Sequence, residues 1–267
     1  MENKLDIFVF THKTPDFLPT NKCYKLVTLE RDKDKVKSNL DTIICNKKKE
    51  NIFNFERAYS EGSRIHYIWK NIPLKEYVGT AHYRRFFSFL DNIPDLDEIF
   101  KTHDAILPNF DLWDTVKGQY KANHNIKDLE KVIDIINEYY PEYSETAKIY
   151  LQNKDFIPCN IFIMKKEMFE KYCEFVFDIL DKYNKAMGFT CDLDVFNWVA
   201  NRTDEYCYNK NGLLHSVPYQ ARIQAFLMER ISNIFYNKNF KNPYMADILL
   251  TEVHFEEEKT IFNIYEK

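Results

Sequence analysis

The sequence predicts an α/β fold: one domain on a mostly parallel central sheet flanked by helices, with a helical C-terminal part. Three observations carry that prediction. Short apolar runs rich in β-branched and aromatic residues recur at 5–11, 26–29, 41–45, 77–81 and 104–108, with the length and composition of buried strands. Between them the apolar spacing changes to three and four residues, the period of one helix face. Strand and helix alternate along the chain, as a parallel sheet with crossover helices requires.

Taken in order, residues 5–11 form the first strand, which stops at the polar turn His12-Lys13-Thr14-Pro15. Two further strands at 26–29 and 41–45 are separated by a Lys/Asp-rich loop. From 53 to 71, Ala58, Gly62, Ile65, Trp69 and Ile72 share a helix face, with Glu61 on its flank, and Pro73 ends the helix. The 77–81 strand follows, then a short helix from Asp95 and the strand 104–108. Residues 111–124 show no clear period and read as a loop. Asn125 is a helix cap with Asp128 at the third position, a variant of the capping box, and Pro141 closes that helix. A strand at 156–164 carries Asn160. A long helix then turns Phe169, Tyr172, Phe175, Val176 and Ile179 inward. Asp192 opens a shorter helix, and a loop over 203–218 leads to a last helix at 219–237. There Arg230 enters an apolar face, so it needs a partner, for which Glu61 is the expected candidate, while Arg222 and Glu229 sit together on the flank.

At 267 residues, 45% hydrophobic and 29% charged, the chain is an ordinary globular protein, and 16% aromatics fill a core easily. A net charge of −4 excludes a general polyanion binder. Only five glycines occur, against an average near ~7%, and neither glycine-rich phosphate motif is present. Any phosphate must therefore be held mainly by side chains. The six cysteines show no metal-like or C-x-x-C spacing, so buried thiols in a reducing compartment are expected. The uncharged stretch 7–12 is too short for a signal peptide, and no apolar run reaches the length of a membrane span. The expected location is cytoplasmic.

The most informative stretch is 77–87. A buried strand delivers His82, Arg84 and Arg85 to its carboxyl end, where ligands gather in open α/β sheets. Eight arginines stand against 29 lysines, so an adjacent arginine pair there points to a forked grip on phosphate or carboxylate. The competing reading is a solvated basic turn beside core aromatics. The Asp-x-Asp pairs at 32/34, 95/97 and 192/194 are about as many as chance gives for twenty aspartates, ~1.5. Asp192 and Asp194 read either as first-turn helix acids or as catalytic or metal-binding carboxylates.

Several blocks taken together resemble a family of bacterial capsule, O-antigen and exopolysaccharide glycosyltransferases long catalogued as a domain of unknown function. They are Phe10-Thr-His-Lys13, Ser60-Glu-Gly-Ser63 running into Tyr67-Ile-Trp-Lys-Asn71, Tyr77 to Phe86 with its His-Tyr-Arg-Arg core, and Gln119-Tyr…His124-Asn125…Asp128-Leu129. Asn160 to Lys165 and Arg222…Phe226-Leu-Met-Glu-Arg230 complete the series. The chain departs from the family at Gly62, where a larger apolar residue is usual, and in an expanded segment at 192–214. The resemblance implies a GT-A-like nucleotide-binding domain over 1–240, with 241–267 an extension of unknown role. It implies transfer of a hexose, galactofuranose-type included, from a nucleoside diphosphate donor such as a UDP-sugar to a growing, lipid-linked or free glycan at the inner membrane face. Donor contacts fall to Thr11, His12, Lys13, His82, Arg84, Arg85, His124 and Asn160. Asp192, Asp194 and Glu229 are the candidates for the base. With cations where a carboxylate pair would otherwise stand, no metal is expected to be required. The rivals are a non-catalytic glycan-binding domain and a nucleic-acid module; the net charge counts against the second.

Overall fold

The computed structural model describes residues 4–108, 112–209 and 212–251. Its strands, in chain order, are β1 (Leu5–Phe10), β2 (Tyr24–Leu29), β3 (Thr42–Cys45), β4 (Tyr77–His82), β5 (Arg85–Phe87), β6 (Ala105–Pro108) and β7 (Phe162–Lys165). A small hairpin, β8 (Tyr208–Asn209) with β9 (Gly212–Leu213), precedes β10 (Tyr244–Ala246) and β11 (Ile248–Leu250). The main sheet runs β10-β6-β7-β4-β1-β2-β3. Strands β1 to β4 are mutually parallel. Strand β7 runs against both its neighbours, which leaves β6 and β10 aligned with β4. The sheet is thus mostly parallel, as its apolar strands predict. All six residues of β1 are buried, which both faces being covered explains.

The helices are α1 (Glu56–Tyr59), α2 (Gly62–Asn71), α3 (Leu96–Thr102), α4 (Val116–Asn123), α5 (Ile126–Tyr139), α6 (Pro141–Tyr150) and α7 (Lys166–Met187). After them come α8 (Asp192–Ala200), α9 (Thr203–Tyr206), α10 (Val217–Gln220) and α11 (Ile223–Asn239). Phe8, Phe10 and Val78 pack on the face covered by α2, α5, α7 and α11. Ile7, Val9 and Ala81 face α3 and the aromatics Phe86 and Phe87. The inward residues of α7 are the expected ones, and its end at Gly188 (φ 72) uses the left-handed conformation glycine tolerates. Asp95 and Asn125 cap α3 and α5 by accepting from Glu98 N–H and Lys127 N–H.

Several expectations change. The helix expected over 53–71 is broken at Ser60 (φ 49) into α1 and α2, and that over 219–237 is broken before Ile223 into α10 and α11. Most of the loop expected over 111–124 is α4, capped by Thr115, whose Oγ accepts from Gly118 N–H at 3.0 Å; residue 111 lies outside the described residues. Half the buried positions of α4, Gln119 and Asn123, are polar, which hides its period. Helix α5 ends before Pro141 as expected, and Pro141 also starts α6, matching its tolerance at a first helical position. Asp128 is not a capping partner: buried, it accepts from Tyr183 Oη at 2.6 Å and Tyr206 Oη at 3.0 Å, and burial pushes its carboxyl up to about 6. A Cβ on Gly62 would lie 2.6 Å from Met228 Sδ, so this glycine admits close packing of α2 on α11. Strands β10 and β11, past residue 240, belong to the main sheet. Among the described residues no helix is long and apolar enough to cross a membrane.

Candidate functional site

The carboxyl ends of β1 and β4 meet, with Phe10 and His82 as register partners. Beyond Phe10, the buried Thr11 hydroxyl donates to the Lys13 carbonyl and accepts from Lys13 N–H, a local turn that sets His12 and Lys13 on the sheet edge. Beyond His82, the chain reverses at Tyr83-Arg84 and returns as β5, placing Arg85 opposite His82. The Tyr83 ring is the common platform. The His12 ring stands edge-on at 5.1 Å and the His82 ring lies at 4.4 Å. The Arg84 guanidinium and Lys13 ammonium lie 5.2 and 5.6 Å from its centroid, within cation–π range.

Arg84 N–H donates to His82 Nδ1 at 3.2 Å, so the neutral ring carries its proton on Nε2. Burial, then Arg85, Arg84 and Arg64, drive His82 well below the usual histidine value. Burial and Arg64 also lower His12, despite Asp32. Both imidazoles are neutral at pH 7 in a strongly electropositive edge.

The adjoining wall comes from the turn before β7. Cys159 (φ 59) and Asn160 (φ 49) are consecutive non-glycine residues in the left-handed region, at ~1–2 kcal/mol each, and such strain persists only where its surroundings enforce it. Here they do. The Thr80 hydroxyl donates to the Asn160 carbonyl, and Ser232 Oγ donates to Asn160 Oδ1 at 2.9 Å. Asn160 Nδ2 donates to Glu61 Oε1 at 3.1 Å, and Cys159 N–H donates to Glu229 Oε1 at 2.7 Å. Burial pushes the Cys159 thiol up to about 12, so it is no thiolate nucleophile.

Two expected pairings are corrected. Arg230 does not pair with Glu61. It bonds Glu229 Oε2 at 2.9 Å, the Phe226 carbonyl at 3.1 Å and Gln119 Oε1, because its neighbour on α11 and α4 are closer than the α2 N-terminus. Arg222 instead donates through Nε to Ser60 Oγ at 2.8 Å, leaving Glu229 to Arg230. Burial raises Glu229 above the usual glutamate range against the pull of Arg230. Glu61 keeps one oxygen, Oε2, without a hydrogen bond among the described residues.

Asp192 accepts from Ala58 N–H at 2.8 Å and Arg57 N–H at 3.0 Å, docking α8 against α1. Asp194 accepts from Thr190 and from Cys191 N–H, and these bonds lower its carboxyl. Both carboxylates serve backbone N–H groups. Asp192 also lines a cleft of about 500 Å³ with Arg57, Leu193, Phe196, Pro218 and Ala221. His124 stacks on Phe226 at 3.9 Å and bonds Gln220 Oε1 through Nδ1 at 3.0 Å, away from the Tyr83 platform. The cation that sequence reasoning missed is Arg64 of α2, whose guanidinium sits 5.9 Å from the Phe10 ring. Its only sequence signal is the scarcity of arginine.

This arrangement, cations at the carboxyl edge of a mostly parallel sheet, belongs to a fold shared with a glycosyltransferase. A solved structure described as the WbbM bifunctional glycosyltransferase in apo form superposes with a TM-score of 0.65 at 20% identity, over 94% of this chain and 46% of that one. The chain spans about half the length of that protein, and the likeness is one of fold. The family model described as Domain of unknown function (DUF4422) matches residues 6–203, and the chain belongs to that family. A search of curated proteins gives no match.

Proposed function

We propose that the protein is a nucleotide-sugar glycosyltransferase with a GT-A-like domain. It moves a hexose, galactofuranose-type included, from a UDP-sugar to a capsule, O-antigen or exopolysaccharide acceptor. The observation that carries this reading is the convergence of His12, Lys13, His82 and Arg84 on one Tyr83 platform, with Arg85 opposite His82, at the strand ends.

In the reaction the acceptor hydroxyl oxygen bonds to the anomeric carbon. The bond from that carbon to the diphosphate oxygen breaks, and its electron pair leaves with the diphosphate. The developing charge needs fixed positive groups in a site of low dielectric, a task the arginines suit. In this proposal the cations stabilise the leaving group without metal. The acceptor proton goes to a carboxylate. Glu229 and Glu61 adjoin the Cys159-Asn160 wall, whereas Asp192 and Asp194 are engaged by backbone N–H groups. We assign the base to this glutamate pair, with Glu61 Oε2 as the accepting atom.

A thermal-shift screen with UDP, GDP and CMP sugars tests the reading. A nucleoside diphosphate sugar should raise the melting temperature. Stabilisation by free glycans with no response to any nucleotide would replace it with a glycan-binding domain.

A further inference from the structure

Arg64 stands where a cation is least expected without a ligand. It lies in the first turn of α2, where the helix dipole disfavours positive charge. Its Nε is buried and has no hydrogen-bond partner among the described residues. Three carboxylates act on it from a distance, Glu61, Glu56 and Asp32. Each already has a partner: Asn160 for Glu61, Arg31 for Glu56 and Lys35 for Asp32. Burial disfavours its charged form and these carboxylates only partly offset that. A guanidinium so placed destabilises the free protein unless something else uses its charge.

The surroundings say what would use it. Arg64 lies over Phe10, whose register partner is His82. Paired residues of neighbouring strands share a sheet face, so Arg64, His82 and, across the β4–β5 pair, Arg85 border one space at the sheet edge. His12 and His82 both feel its charge. The three carboxylates that act on Arg64 are each engaged by another group, and His82 and Arg85 bring a neutral ring and a forked donor to that space. An anion with several acceptor oxygens fits it, and a forked donor matches a phosphoryl group.

We infer that Arg64 is a direct binding residue for a phosphoryl group, forming with His82 the floor of an anion site whose rim is Arg84 and Arg85. The inference deepens the donor reading, on which it rests for the identity of the phosphate carrier. It assigns the deepest contact to a residue on α2 rather than to the strand-end motif.

Calorimetric titration of the wild type and Arg64→Met with UDP, inorganic pyrophosphate and uridine tests it. Arg64→Met should weaken UDP and pyrophosphate by about 10- to 100-fold, the range for a lost hydrogen bond to a charged group, and leave any uridine binding unchanged. The melting temperature of the free variant should not fall, because an uncompensated charge has been removed. Arg64→Lys should recover part of the affinity, since it keeps the charge and loses the fork. If the wild type binds UDP and Arg64→Met binds it equally, the inference is overturned and the donor reading stands. If pyrophosphate binds with the expected Arg64 dependence but no nucleotide binds, the donor reading falls and the inference stands. If neither binds the wild type, both fall. Should Arg64→Met not fold, Arg64→Gln takes its place with the same outcomes.

Discussion

Arg222 Nε donates to Ser60 Oγ at 2.8 Å across 162 positions of chain, and each residue stands at a break in a helix. Ser60 separates α1 from α2 with φ 49, and Arg222 separates α10 from α11. The break at Ser60 turns Glu61 toward Asn160; the break at Arg222 lets its guanidinium cross to α1. Ser60→Ala should therefore lose roughly 1–2 kcal/mol and lower kcat/KM for transfer. Ser60→Gly, which lacks the hydroxyl but adopts positive φ freely, should be the more stable of the two. Denaturant unfolding and steady-state kinetics of both variants check this.

The strand-end arginines give the second prediction. Arg84→Ala and Arg85→Ala should each lower turnover by ~10²–10³, the effect of losing one donor to a developing charge. Both side chains are only half-buried, so the melting temperatures should hardly move. Equal turnover in wild type and variants would remove them from the site.

The carboxylates divide into two groups. Asp192→Asn should lose about 1 kcal/mol of stability as a cap yet retain most activity, and Asp194→Asn should behave alike with a small fall in melting temperature. Glu61→Gln should lower turnover by ~10²–10⁴, the range for general acid–base catalysis, with little change in donor affinity. Glu229→Gln should lower it as well, with some loss of stability through Arg230.

Chelation separates the cationic clamp from a metal clamp. Dialysis against EDTA should leave turnover intact. Complete loss, restored by manganese, would return the diphosphate to a carboxylate-held metal and draw attention back to Asp192 and Asp194.

Buried His66 supplies a pH dependence independent of function. It packs edge-on to Phe177 at 5.0 Å and Trp69 at 5.6 Å, and burial lowers it from 6.5 to about 4. The folded state holds it neutral while the unfolded chain takes a proton, so its contribution is present above pH 6.5 and lost as the pH falls toward 4. The loss is roughly 3 kcal/mol. Asp128, raised to about 6, acts with opposite sign and is common to any variant at position 66. The difference in stability between wild type and His66→Phe, measured from pH 7 to 4, should shift in favour of the variant by that amount.

Much of the fold is legible in the sequence because it rests on local apolar pattern. Strand β1 is apolar at every position but Asp6 since both its faces are covered, and α7 shows its period over 22 residues. The breaks at Ser60 and Arg222 are illegible because the bond that joins them is tertiary. Helix α4 is hidden since Gln119 and Asn123, not apolar residues, share its inner face. Asp128 reads as a cap until Tyr183 and Tyr206, 55 and 78 positions on, close over it. The strand-end motif is legible because β4 carries His82 to the edge directly. Arg64 reaches the same edge only through the packing of α2.

The most direct measurement is UDP release from a panel of UDP-sugars, with glycan acceptor supplied, by the wild type and the Arg84→Ala/Arg85→Ala double variant. The proposed function predicts acceptor-dependent release by the wild type and near-complete loss in a double variant that is still folded. Equal release by both proteins, or none by the wild type with any nucleotide sugar while free glycan binds, would contradict it.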